Sequence, residues 1–484
     1  MTERRVILVL PTQEALHESA MTRLSNDSRI TRRLTGRPAR ATIDTSFSAI
    51  PLGDMHSPSP FAVPRADGGS YYAIRATIDG DAEIPTLTTE GAAIFSDPPI
   101  THVASSHVAS SHVASSHVAS THVASSRAAR PAGTASGTRA EVALRLGVPG
   151  LSARRLDGAG VAIAVVDTGI NLAHLEARGI EAEIDTTLTW PPLPEGPGLH
   201  PVGPGTMCAY AALIAAPRAT LLDFPILPSP ILPSPILPPP ALPASIPRTV
   251  LPPWPVPYPG RSGLLSDALQ AYARLLAAVR ADRSRFKAIV VSNSWGLSAH
   301  EADFPAGHPG RYIDNPGHPF NLIVGALSRY GVDILFAAGN ALPARPDPFR
   351  QGASRPAIVG AAAHPDVLTV TGVSLRGRRT GGAAQGPGIP GMVYAKPDLA
   401  SYAGFLGSEA GGPGAPDAGT AAACPVAAGC VAALRTRLPH AALGPRDLTV
   451  ALRTDARRRG PSRWNPGLGY GVMAPLRTAM RLGL

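Results

Sequence analysis

Asp167 stands at the end of an uninterrupted apolar run, Val161 to Val166, and Thr168 and Gly169 follow it at once. A short apolar run with four β-branched residues reads as a strand buried on both faces, as in a parallel sheet. A carboxylate at the C-terminal end of such a strand sits where open α/β sheets place their chemistry. The plain alternative is a turn-forming aspartate. Asn340 occupies a comparable place: the run Val332 to Ala338 leads into Gly339 and Asn340. Imidazoles recur at His102, His107, His112, His117 and His122, in a tandem H-V-A-S-S repeat over residues 101 to 126. Metal binding is one reading of that tract. Five residues advance a helix by about 140°, and an odd step alternates sides on a strand, so these rings share no face. The tract reads instead as a spacer made by repeat expansion, too poor in large apolar residues to fold. Cys208, Cys424 and Cys430 have neither the number nor the spacing of a disulfide framework or a zinc site. The first two lie among small apolar residues, where a buried, inert thiol is expected.

The elements that would position these groups alternate strand and helix. Strands are expected at Tyr71–Ile78, Gly91–Ser96, Val161–Val166, Ala288–Ser292, Val332–Ala338 and Val367–Val373. Helices are expected at Glu141–Leu146, from Pro204 towards residue 217, at Leu264–Arg280 with Ser266 as N-cap, at Pro319–Tyr330 and at Thr420–Arg435. That alternation predicts an α/β fold with a mostly parallel sheet. Residues 1–60 look irregular apart from a possible strand at 4–11. Residues 61–100 form a small α/β unit and 101–140 a low-complexity linker. Residues 141–484 form the main domain, with a Pro-rich insert over 224–260 that contains P-I-L-P-S repeats.

Composition excludes more than it assigns. The formal charge of +10 rests on arginine, since Lys287 and Lys396 are the only lysines. It comes with abundant Ala, Pro and Gly and with no nucleic-acid motif, so no nucleic-acid partner is expected. The apolar stretch after Arg4 and Arg5 is too short for a signal h-region, and no run is long enough to cross a membrane. The expectation is a soluble, cytoplasmic protein without a membrane partner.

Several ordered blocks between residues 141 and 475 resemble the subtilisin-like serine peptidases, or subtilases. V-V-D-T-G-I-N is similar to the block of the catalytic aspartate, with Asp167 in its place. V-S-N-S-W-G is similar to the strand whose backbone lines the substrate cleft, at Ser294, Trp295 and Gly296. F-A-A-G-N is similar to the oxyanion block, with Asn340 as the amide donor. G-T-A-A-A-C-P resembles the nucleophile block, and W-N-P-G-L-G-Y-G the closing segment. The resemblance implies a twisted, mostly parallel sheet with helices on both faces, and a small propeptide-like α+β unit before it. It also implies a peptide in the cleft as partner, together with the chain's own N-terminal unit. Calcium is a frequent ligand in the family, but no ligand loop for it can be read here, so no cofactor or metal is assigned.

Two blocks depart from the family. Pro204 stands where the resemblance implies the catalytic histidine, and Ala421 where it implies the nucleophilic serine. A serine hydroxyl attacks an amide only when an imidazole takes its proton, and the aspartate merely orients that imidazole. In subtilisin itself, loss of either group costs about 10⁶ in turnover. His200, Thr420, Cys208 and Cys424 are the nearby substitutes in sequence, and none sits at an aligned position. The expected function is a catalytically inactive subtilase homologue that keeps a peptide groove. The alternative is an active serine-type peptidase working through unconventional residues.

Overall fold

The computed structural model describes residues 3–12, 41–44, 46–52, 70–78, 93–103, 135–190, 196–227, 263–298, 302–340 and 358–484, apart from 381, 390, 391, 394, 459, 461 and 462. Most of the H-V-A-S-S tract and of the Pro-rich insert lies outside these residues.

The strands, in chain order, are β1 (Arg4–Thr12), β2 (Ala41–Ile43), β3 (Ile50–Pro51), β4 (Ser70–Ile78), β5 (Ala93–Ser96), β6 (Pro99–His102), β7 (Val161–Asp167), β8 (Glu183–Ile184), β9 (Thr220–Pro225), β10 (Gly263–Leu264), β11 (Ala288–Asn293), β12 (Trp295–Leu297), β13 (Asp333–Ala337), β14 (Val367–Val373) and β15 (Leu399–Tyr402). The helices used below are α1 (Arg139–Leu146), α2 (Pro204–Ala212), α3 (Leu265–Ala281), α4 (Pro319–Arg329) and α5 (Gly419–Arg435).

Seven strands form one parallel sheet in the order β15-β14-β13-β11-β7-β9-β8. Every residue of β7 is buried, because the sheet is covered on both sides. Val161, Ile163 and Val165 point into a core shared with α2 and α5. Ala162, Ala164 and Val166 point into the opposite core, shared with α3 and α4. This is the α/β arrangement expected from the sequence. The strand ends carry Asp167 on β7 and lead to Asn340 beyond β13.

The small N-terminal sheet runs β2-β4-β1-β5, with β3 on β4. The strand expected at 4–11 is β1, an inner strand paired with β4 from Arg4↔Ile78 to Thr12↔Ser70, while β2 and β3 lie in the stretch expected to be irregular. The apolar residues of β1 explain its inner place. Val6, Leu8 and Leu10 pack with Tyr72 and Ile74, while Ile7 and Val9 face the core of the large sheet. The linker boundaries also shift. Residues 99–102 form β6, and α1 begins at Arg139 with a Thr138–Glu141 capping box. Phe224 and Pro225, placed in the insert by composition, belong to β9.

Helix α3 is capped partly from outside its own segment, beside Asp267 of its first turn, which accepts the Leu264 N–H at 2.9 Å. Leu264 is its N-cap, not Ser266 as the sequence suggested, and Leu264 has no polar side chain to offer. Asp97 of the N-terminal unit takes over. Its carboxylate accepts the Ser266 N–H at 2.7 Å and the Ser266 hydroxyl at 2.6 Å. A carboxylate at a helix N-terminus also meets the positive end of the helix dipole. Arg75 of β4 joins the cluster, donating to the Ser266 hydroxyl at 2.7 Å and pairing with Asp267.

Two expectations follow. Arg435 at the end of α5 is fully buried and grips Asp333 with two N–H groups, at 2.6 and 2.7 Å. Removing it strands a buried carboxylate, so Arg435→Leu should lower the denaturant-derived stability by about 3 to 5 kcal/mol. A loss below about 1 kcal/mol would contradict that role for the pair. Burial pushes the Asp97 carboxyl up from 3.8 to about 6, against the opposing pull of Arg75. A folded-state value above the unfolded one means that the folded chain holds the extra proton between these limits. The stabilisation tied to that proton is full below about pH 4 and lost as pH rises through about 6. In melting curves, the stability of wild type relative to Asp97→Asn should therefore fall between these pH values; a constant difference would refute it.

Candidate functional site

Asp167 ends β7 fully buried. Its Oδ1 accepts the N–H of Thr168 at 2.8 Å, which fixes the carboxylate in the turn. The first turn of α2 packs directly on that turn. The Gly205 N–H donates to the Thr168 hydroxyl at 2.9 Å, and a Cβ at Gly205 would lie 2.4 Å from the carbonyl oxygen of Gly169. Pro204 is the first residue of α2, where a missing N–H costs nothing. The thiol of Cys208, one turn further on, lies 3.8 Å from Asp167 Oδ2 and 3.8 Å from the carbonyl oxygen of Ala421. The structure thus brings Asp167, the first turns of α2 and α5, and hence Pro204 and Ala421, into one place.

Asn340 is held against α5. Its Oδ1 accepts from the Thr420 N–H at 3.2 Å and from the Thr420 hydroxyl at 3.0 Å. Gly419 makes this approach feasible: its φ is +75°, and a Cβ there would sit 2.8 Å from Asn340 Nδ2. The Ser294 hydroxyl donates to the Ala421 carbonyl at 2.8 Å. The Thr420 and Ser294 hydroxyls thus both donate to oxygens, and neither donates to an imidazole.

Strand β6 lies along Trp295–Leu297, where the resemblance implies a peptide cleft. It is paired antiparallel on one side with β12, through Trp295↔His102, Gly296↔Thr101 and Leu297↔Ile100, and on the other with β10. Beyond it, the Val103 N–H donates to the Ser294 carbonyl at 2.8 Å, and Asn340 Nδ2 donates to the Val103 carbonyl at 3.2 Å. Ser294, Trp295 and Gly296 meet this strand through their backbone. The Trp295 ring turns away into the core against Phe320 and Phe336.

The imidazole of His102 reaches Asp167, with Nδ1 2.9 Å from Oδ2. This residue was not singled out from the sequence, because its repeat reads as a spacer. The available signal was P-I-T-H-V: apolar and β-branched residues around the first histidine, in place of the serines around the others. His200 does not serve Asp167. Its Nε2 lies 3.5 Å from Asp223, and its ring packs where a Cβ on Gly169 would be.

The thiols are unsuited to nucleophilic work. Burial, with the Asp167 charge second, pushes Cys208 well above the usual thiol range. Burial raises Cys424 and Cys430 to about 12. A thiol that does not ionise is a poor nucleophile. Among the described residues no group of three or more His, Cys, Asp or Glu could hold a metal ion, and no helix is long and apolar enough to cross a membrane.

Residues 257–471 match the profile of the subtilase family, a stretch that includes Ser294, Asn340 and Ala421 but neither Asp167 nor Pro204. No curated protein matches the chain. Among solved structures it is similar to fervidolysin from Fervidobacterium pennivorans, a keratinolytic enzyme related to subtilisin, with a TM-score of 0.54 at 15% identity. The alignment covers 99% of this chain, which spans 61% of the fervidolysin chain. At that identity the likeness speaks for the fold, and the family profile speaks for the domain. Residues 257–471 carry the subtilase-family profile, and the chain has a subtilisin-like fold.

Proposed function

We propose that this protein is a catalytically inactive subtilase homologue that holds an extended peptide in its cleft without cutting it, its own residues 99–103 being the resident occupant. On this reading the N-terminal unit is propeptide-like and stays attached. The observation that carries the proposal is the seating of Val103. Its carbonyl accepts from Asn340 at 3.2 Å, as a substrate carbonyl would in an oxyanion hole, while the residue aligned with the nucleophile is Ala421. Donors polarise the carbonyl, but no hydroxyl paired with a base is there to attack it.

Peptide binding needs none of the missing atoms. The strand is held by backbone pairing to Ser294–Leu297 and Gly263–Leu264, which is strand addition at a sheet edge. The alternative, an active peptidase with a substitute nucleophile, would need Cys208, Thr420 or Ser294. The thiol stays protonated, and both hydroxyls are committed to oxygen acceptors.

The purified chain should keep its full-length mass through prolonged incubation. A break after Val103 would contradict the proposal. Repair is the complementary test. Because His102 brings an imidazole to Asp167, Ala421→Ser alone is not a clean control, so the test is made in a His102→Ala background. There, Ala421→Ser should give no peptide hydrolysis above background, and adding Pro204→His should raise it by at least about a hundredfold. Equal activity of the two would mean that position 204 is not the place of the base.

A further inference from the structure

We propose that this cleft selects for histidine: it prefers an extended peptide carrying an imidazole one residue before the carbonyl seated on Asn340. The inference rests on the peptide-holding reading above and names the ligand of that site.

The selection comes from a carboxylate oxygen whose one close donor, the His102 ring, is brought by the strand in the cleft. Asp167 is fully buried, and the Thr168 N–H serves only its Oδ1. Around Oδ2 stand the His102 ring nitrogen at 2.9 Å and the Cys208 thiol at 3.8 Å, a weak donor at a long distance. Pro204 supplies no donor, and His200 is turned to Asp223. A buried charged oxygen without a partner is costly, so a ligand that brings a donor gains by completing it. The imidazole does this from the peptide side.

The register is fixed by the backbone. Val103 N–H on Ser294 and the Val103 carbonyl under Asn340 leave His102 opposite Trp295. Side chains alternate along a strand, so a slip of one residue would turn the imidazole to the other face.

The repeat supplies the same step again. His107–Val108, His112–Val113, His117–Val118 and His122–Val123 each repeat His102–Val103, and each follows a serine or threonine as His102 follows Thr101. These are four further occupants for one cleft. They are weaker ones, because Ile100 is fully buried two residues before His102, and Ser105, Ser110, Ser115 and Ser120 stand at the equivalent places. Losing that apolar burial should cost each copy at least about tenfold in occupancy.

The test is hydrogen exchange on the full chain, reading the amides of residues 99–103 with those of β7 and β11 as internal reference for folding. His102→Ala should speed exchange of 99–103 by about tenfold, and Asp167→Ala should do the same. The double variant should do no more than either single one, and His102→Gln should recover part of the protection. Unchanged exchange in His102→Ala, or additive effects in the double variant, would overturn the inference while leaving the peptide-holding reading intact. Exchange of 99–103 at free-chain rates in the wild type would overturn both. In Ile100→Ser, protection should spread into residues 104–126 and vanish when the four downstream histidines are alanine. Protection confined to 99–103 there would overturn the role given to the repeat.

Discussion

A carboxylate buried at the end of the central strand needs a donor, and the rest of the cleft is arranged around how Asp167 obtains one. In the family arrangement, the partner is an imidazole on the following helix, which then serves a serine. Here that helix begins with Pro204, and the donor arrives from the N-terminal strand as His102, 2.9 Å away. On the proposed reading, the same pairing that prepares a peptidase for reaction fastens a peptide in place. An aspartate without a nucleophile to serve can still act electrostatically, as an acceptor in a dry pocket where hydrogen bonds are strong and unmet ones expensive.

The attachment of the N-terminal unit has two ends, each solving a local problem of the large domain. At one end Asp97 and Arg75 join Asp267, which accepts the Leu264 N–H, in closing the N-terminus of α3. At the other, β6 fills the space between β12 and β10, satisfying backbone groups that would otherwise face solvent. His102 and Val103 complete that second end by meeting Asp167 and Asn340. The N-terminal unit therefore completes the large domain as well as occupying it.

Much of this was legible in the sequence. The buried strands announced themselves as continuous apolar runs, since a sheet covered on both faces leaves no polar alternation, and the blocks around Asp167, Asn340 and Ala421 fell at the strand and helix ends where the fold gathers them. The missing parts were non-local. No local rule says that Asp97 caps a helix 169 residues away. Ser266 has the right side chain for an N-cap, but it lies inside the helix and bonds to Asp97 instead. His102 was hidden by its own repeat: a tract that is uniform in sequence is not uniform in environment, and only its first copy follows an isoleucine that can be buried.

The central claim is that the cleft binds and does not cut, and a hydroxyl-directed fluorophosphonate tests it most directly. It would be applied to the chain with β6 loosened by Ile100→Ser and with His102, His107, His112, His117 and His122 all replaced by alanine, with the Pro204→His and Ala421→Ser repair of that same chain as the positive control. The account predicts covalent labelling of the repaired chain at residue 421 and none of the unrepaired one. A label on Thr420, Ser294 or any other hydroxyl of the unrepaired cleft would contradict it.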